Sequence, residues 1–76
     1  MQLPQFRHYK TGGTYEVITE AILESNPAVL VVVYRNIESG KVWCRPRDEF
    51  YGQAVQGTTL VPRFVRLWPN GLPQDP

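Results

Sequence analysis

Few residues in this sequence have the types and spacing that chemistry requires. There is one histidine, His8, and one cysteine, Cys44, with 35 residues between them, and Asp48 stands next to Glu49. A cysteine and a histidine are the nucleophile and base of thiol catalysis when the fold brings them together. Cys44, however, shares the alternation of Val42, which assigns it to a core slot as a small apolar side chain. His8, between Arg7 and Tyr9, sits in a cationic context that resists its protonation and reads as a hydrogen-bonded structural histidine. Adjacent carboxylates on a turn diverge, so Asp48 and Glu49 form no shared-proton pair. Asp48 instead suits a helical turn or an ion pair with Arg47 or Arg63. A metal centre needs three or four convergent ligands, and the chain offers no such spacing. The run "KTGGTY" is too short for a phosphate loop and leads into a strand rather than a helix. No catalytic residue, metal or cofactor is therefore assigned.

One constellation does suggest binding. Trp43 is followed two residues later by Arg45, and residues at i and i+2 of a strand stand side by side on one face. Tryptophan and arginine are enriched where binding energy concentrates. A guanidinium supplies a planar fork for a carboxylate or phosphate, and the indole a flat apolar surface beside it. The expected ligand site is Trp43 and Arg45 on the outward face, with Tyr34, His8 and Arg63 nearby. The competing reading has Trp43 simply covering the core.

The elements that must position these residues are short strands. "TYEVITEAIL" alternates, with Tyr15, Val17, Thr19, Ala21 and Leu23 on one face and Glu16, Ile18, Glu20, Ile22 and Glu24 on the other. Gly12 and Gly13 place a turn before it, so "FRHYK" is expected to run back against it as a short strand. "ESNP" is the next turn, because Asn26 is pushed out of helix by Pro27. "AVLVVVYRN" is apolar on both faces, with Leu30, Val32 and Tyr34 on one and Val29, Val31 and Val33 on the other. It is expected to be central, or to meet another subunit. "IESGK" closes a hairpin into "KVWCR", where Val42 and Cys44 are expected to face inward. Pro46 stops that strand. "PRDEF" supplies one helical turn that returns Phe50 to the core. "YGQAVQGTTLVPRFVRL" reads as two further strands around a turn at Gly57-Thr58.

These patterns predict an all-β domain over residues 1–67: a small, strongly bent five-stranded sheet or SH3-like barrel with at most one short helical turn. Three prolines and a glycine in "WPNGLPQDP" predict a flexible tail over 68–76. Seventy-six residues leave room for one domain, and a single cysteine excludes an internal disulfide. There is no apolar run of the ~18 residues that span a bilayer, and "MQLPQFRHYK" lacks the apolar centre of a signal peptide. No membrane association and a reduced, cytoplasmic setting are expected. The net charge of +1 neither selects nor excludes nucleic acid, although six of the eight basic residues are arginine.

Four blocks in order, "FRHYKTGGTYEVI", "VVVYR", "VWCRPRDEF" and "VPRFVRL", resemble a family known as domain of unknown function 1653, small bacterial and phage-borne proteins. The likeness covers about Phe6 to Leu67. It rests on Arg7, His8, Tyr9, Lys10, Tyr15, Val17, Tyr34, Trp43, Arg45, Pro46, Phe50, Pro62, Arg63 and Phe64. An extra residue near Thr11 lengthens the first turn, Cys44 replaces a valine-like position, and "AILES" stands where the family has a polar segment with a second histidine. The resemblance implies a compact β domain and carries no activity.

Two functional expectations follow. The first is a non-enzymatic binding module for a peptide, a nucleic acid or a small anionic ligand. The second is a very small homo-oligomeric enzyme, or a nucleotide-sequestering accessory protein of a mobile element, with its site between subunits. Self-association as a dimer is expected in either case, because a small barrel has one inside and the valine stripe of Val29, Val31 and Val33 would otherwise stay exposed.

Overall fold

The computed structural model describes residues 2–74. In chain order it forms β1 (Gln5–His8), β2 (Thr14–Ile22), β3 (Leu30–Asn36), β4 (Val42–Pro46), α1 (Arg47–Phe50), β5 (Gln53–Gln56), β6 (Thr59–Pro62) and β7 (Phe64–Leu67). The main sheet has five strands in the order β4-β3-β2-β1-β7, every pairing antiparallel. β5 and β6 form a separate hairpin. The domain is all-β with one helical turn. Among the described residues no helix is long and apolar enough to cross a membrane.

The barrel alternative is corrected: β4 and β7 end the sheet and do not pair, so nothing closes. The outer edge of β7 is contacted at its C-terminal end, at Arg66 and Leu67. The backbone of Gln74 donates to the Arg66 carbonyl, Trp68 donates to Leu72, and Leu67 bridges Pro73. Residues 68–74 thus fold back along β7, while the rest of the expected 68–76 tail, residues 75 and 76, lies outside the described residues. The C-terminal segment also splits into three strands, not two, with a break at Arg63 between β6 and β7.

Turn chemistry explains the hairpins. Gly40 adopts φ +76° at the end of the β3–β4 loop, a conformation that side chains resist. The Asn36 side chain completes that loop, its Oδ1 accepting from the backbone N–H groups of Glu38 and Ser39 at 2.9 and 2.8 Å. In β2 a bulge between Val17 and Thr19 makes Ile18 the extra residue. Tyr15 and Val17 pair with Asn36 and Tyr34, but beyond the bulge Glu20 and Ile22 pair with Val32 and Leu30. The bulge therefore exchanges the faces of the second half of β2, and the unbroken alternation read from "TYEVITEAIL" holds only as far as Val17.

The core sits on the inner face of the sheet. Phe6, Val32, Tyr34, Phe50 and Phe64 are buried there, with Tyr15 and Val17 packed against them. Phe50, returned by α1, stacks on Phe64 with ring centroids 4.2 Å apart and meets Phe6 edge-on at 5.2 Å. Pro46 begins the turn, Asp48 and Glu49 lie in its first turn, and Arg47 pairs with Glu20 of β2 at 3.2 Å.

Candidate functional site

The β3–β4 register decides which way the Trp43 segment faces. Tyr34 is opposite Trp43, Val32 opposite Arg45, and Val33 opposite Cys44. Directly paired residues share a face. Trp43 and Arg45 therefore stand on the inner face with the buried Val32 and Tyr34, and Val42 and Cys44 stand on the outer face. This reverses the expectation for β4. Cys44 is exposed, not a core residue, and Val42 is 56% exposed. Arginine reaches such a position because its aliphatic stem covers apolar surface.

A pocket of about 190 Å³ opens beside the core, lined by His8, Thr11, Tyr15, Tyr34, Trp43, Arg45 and Phe64. β1 supplies His8, β2 Tyr15, β3 Tyr34, β4 Trp43 and Arg45, and β7 Phe64. Tyr34 and Phe64 are shared with the core and form its floor, in edge-to-face contact at 5.4 Å. Tyr15 stands against both of them, at 5.5 and 5.7 Å. Trp43, half exposed, forms the outer wall. The aromatic lining is rigid because every ring but Trp43 packs on another.

The polar groups are fewer and less satisfied. The Nε of Arg45 is buried without a hydrogen-bond partner among the described residues. Its guanidinium meets Glu49 Oε1 at 3.7 Å, a long contact to a carboxylate that is more than half exposed, and an exposed pair of this kind contributes little. His8 Nδ1 accepts from the backbone N–H groups of Lys10 and Thr11 at 3.2 and 3.3 Å. The neutral ring accordingly carries its proton on Nε2, by assignment from these bonds. Burial holds the His8 pKa below the usual imidazole value, and the positive charges of Arg45, Arg63 and Lys10 lower it further. The site is thus a neutral N–H donor and a partly unpaired guanidinium in an aromatic cup, under a positive field.

Of the expected site residues, the structure brings His8, Tyr34, Trp43 and Arg45 together around this pocket. Arg63 is not in its lining. Its Nε donates to the Glu49 carbonyl at 3.1 Å, so it ties the strand break to α1 and reaches the site through its charge alone. Tyr15, Thr11 and Phe64 were not singled out as site residues. The signal for Tyr15 was its place on the same face as Val17, and that for Phe64 was the aromatic after the Pro62-Arg63 break. Asp48 forms no ion pair with Arg47 or Arg63 among the described residues; the observed pairs are Glu16–Arg35, Arg45–Glu49 and Arg47–Glu20.

A family model described as "Protein of unknown function (DUF1653)" matches residues 4–66. The chain belongs to that family. The matched span takes in β1 to β6, β7 as far as Arg66, and all seven residues that line the pocket. No curated protein and no solved structure matches the chain.

Proposed function

We propose that this member of the family is a binding module that holds a small anionic group, a carboxylate or a phosphate, carried on a flat or apolar body. The observation that carries this reading is the buried, partnerless Nε of Arg45 at an aromatic pocket. A buried donor without an acceptor costs about 1–3 kcal/mol, and an anion that gives the guanidinium two acceptors removes that cost. The field at His8 has the same sign, since three cationic side chains surround it and Glu49 only skirts the Arg45 head group. Tyr15, Tyr34, Trp43 and Phe64 supply the surface for the ligand body. At about 190 Å³ the pocket is smaller than the roughly 300–1,000 Å³ of sites for drug-sized molecules. It suits a fragment-sized group, free or projecting from a larger molecule.

The test is a thermal-shift and calorimetric screen of aromatic and aliphatic carboxylates and phosphate esters against the wild type and Arg45→Lys. Lysine keeps the charge and loses the fork. Stabilisation of the wild type that disappears in Arg45→Lys supports the reading. Equal responses in both proteins, or none in either, would remove it.

A further inference from the structure

Among the strand edges of the main sheet, that of β4 is left bare. The edge of β7 is met at Arg66 and Leu67 by residues 73 and 74, whereas β4 ends the sheet on the other side with no strand partner among the described residues. Its hydrogen-bonding polarity follows from the ladder. The N–H of Asn36 donates to the Lys41 carbonyl at 2.9 Å, which makes Asn36 and Lys41 a hydrogen-bonded pair. Such pairs alternate along an antiparallel ladder, so Tyr34–Trp43 and Val32–Arg45 are the next two. The backbone groups of Trp43 and Arg45 are spent on β3. Those of Val42 and Cys44, and the carbonyl of Pro46, point away from the sheet.

We propose that β4 pairs antiparallel with β4 of a second copy about a two-fold axis through Cys44, joining two five-stranded sheets into one. This inference is independent of the anion-binding reading. The register is self-complementary at each position. Cys44 lies opposite its own copy and exchanges both hydrogen bonds with it. Val42 lies opposite the partner's Pro46 and donates its N–H to that proline's carbonyl. Pro46, which has no N–H to give, comes at the end of the paired segment, where a missing donor is least disruptive.

The side chains agree with the backbone. On the outer face Val42, Cys44 and the partner's Pro46 extend the apolar strip of Val31 and Val33 across the junction, and Val42 is exposed until the strip is joined. On the inner face Trp43 lies directly opposite the partner's Arg45, the arrangement in which a guanidinium meets an indole face. Trp43 is itself 51% exposed in the single chain. Each pocket then gains an outer neighbour from the other subunit, because Trp43 and Arg45 line it. An isologous contact of this kind closes on itself and uses up the β4 edge of both copies.

Light scattering over a wide concentration series, on the wild type, Cys44→Ser and Cys44→Lys, tests the arrangement, with circular dichroism melts to confirm that all three fold. The expected result is a dimer for the wild type and for Cys44→Ser. Cys44→Lys sets two like charges face to face across the axis, and is expected to be a monomer at the same concentrations with an unchanged spectrum. A short bismaleimide should also convert the wild-type dimer to a covalent dimer, which can form only through Cys44 because the chain has one cysteine. A wild type that stays monomeric overturns the proposal, as does a dimer that survives Cys44→Lys or resists the cross-linker.

Discussion

Trp43 lies directly opposite Tyr34 in the β3–β4 ladder, and the two side chains stand on the same face of the sheet. Tyr34 is 6% exposed and belongs to the core; Trp43, one strand further out, is half exposed. The pair therefore spans the boundary between packing and recognition. The core ring floors the pocket and the edge ring walls it, so a ligand seated between them contacts surface already held in place by folding.

Separating these roles by mutation is the first expectation. Arg45→Lys should leave the fold intact and weaken anion binding by about 1.5–3 kcal/mol, the value of a hydrogen bond to a charged group. Trp43→Ala should cost the fold less than the ~3–5 kcal/mol of a fully buried tryptophan, because half of the side chain is already in water. It should nevertheless abolish binding. Chemical denaturation and titration on the same two variants decide the matter. A severe loss of stability in Trp43→Ala, with Arg45→Lys silent, would reduce this stretch to a structural corner.

Cys44 should react quickly with a thiol reagent in the native protein, since it is exposed on the outer face. Cys44→Val should change stability by no more than roughly 0.5 kcal/mol, as at other surface positions. Slow labelling that accelerates only on unfolding would show the thiol to be covered, and labelling slowed by raising protein concentration would place the cover in a second copy.

The contrast between Cys44 and Trp43 shows what could be read in the sequence. Period-two alternation and the glycine and proline turns locate β2, β3 and β4 well, because those signals are local. Alternation separates the two faces of β4 but does not say which one meets the core. That depends on the register against β3, where Trp43 lies opposite Tyr34, and the apolar character of Val42 and Cys44 pointed the other way. The Ile18 bulge was hidden for the same reason, since it appears only when β2 and β3 are paired. Closure depends on whether β4 and β7 meet, a relation between distant elements that no window of sequence contains. His8, Tyr34, Trp43 and Arg45 could be named as candidates by residue type. Their assembly around one pocket requires β1, β2, β3 and β4 in register.

Truncation after Leu67 tests whether residues 68–76 are a dispensable tail. Leu67 is buried, and the Gln74 side chain reaches its carbonyl at 3.4 Å while the backbone of 68–74 bonds back to β7. Re-exposing that leucine should cost about 1.5–3 kcal/mol. In a domain this small each kcal/mol lowers the melting temperature by about 4–8 °C. A truncated protein that melts within a degree or two of the full chain would show that these bonds contribute nothing net.

The last expectation concerns pH. His8 is the one histidine, so its titration is read without overlap from another. Its folded pKa lies below the ordinary value of 6.5, through burial first and then through Arg45, Arg63 and Lys10. The unfolded chain therefore binds a proton more readily than the folded one, and stability must decrease as the pH is lowered through that interval. The contribution is fully present above about pH 6.5 and is lost as the pH drops from there through the folded pKa. Geometry gives the same sign, because protonating Nδ1 removes the acceptor used by the N–H groups of Lys10 and Thr11. Urea melts between neutral pH and the carboxylate range should show this loss in the wild type, and His8→Gln should flatten it. A bound anion screens the three cations, so the His8 resonances should titrate at a higher pH in the complex than in the free protein. A histidine that titrates at its ordinary value, with stability level across the same interval, would show that the cationic field at the pocket is too weak to hold an anion.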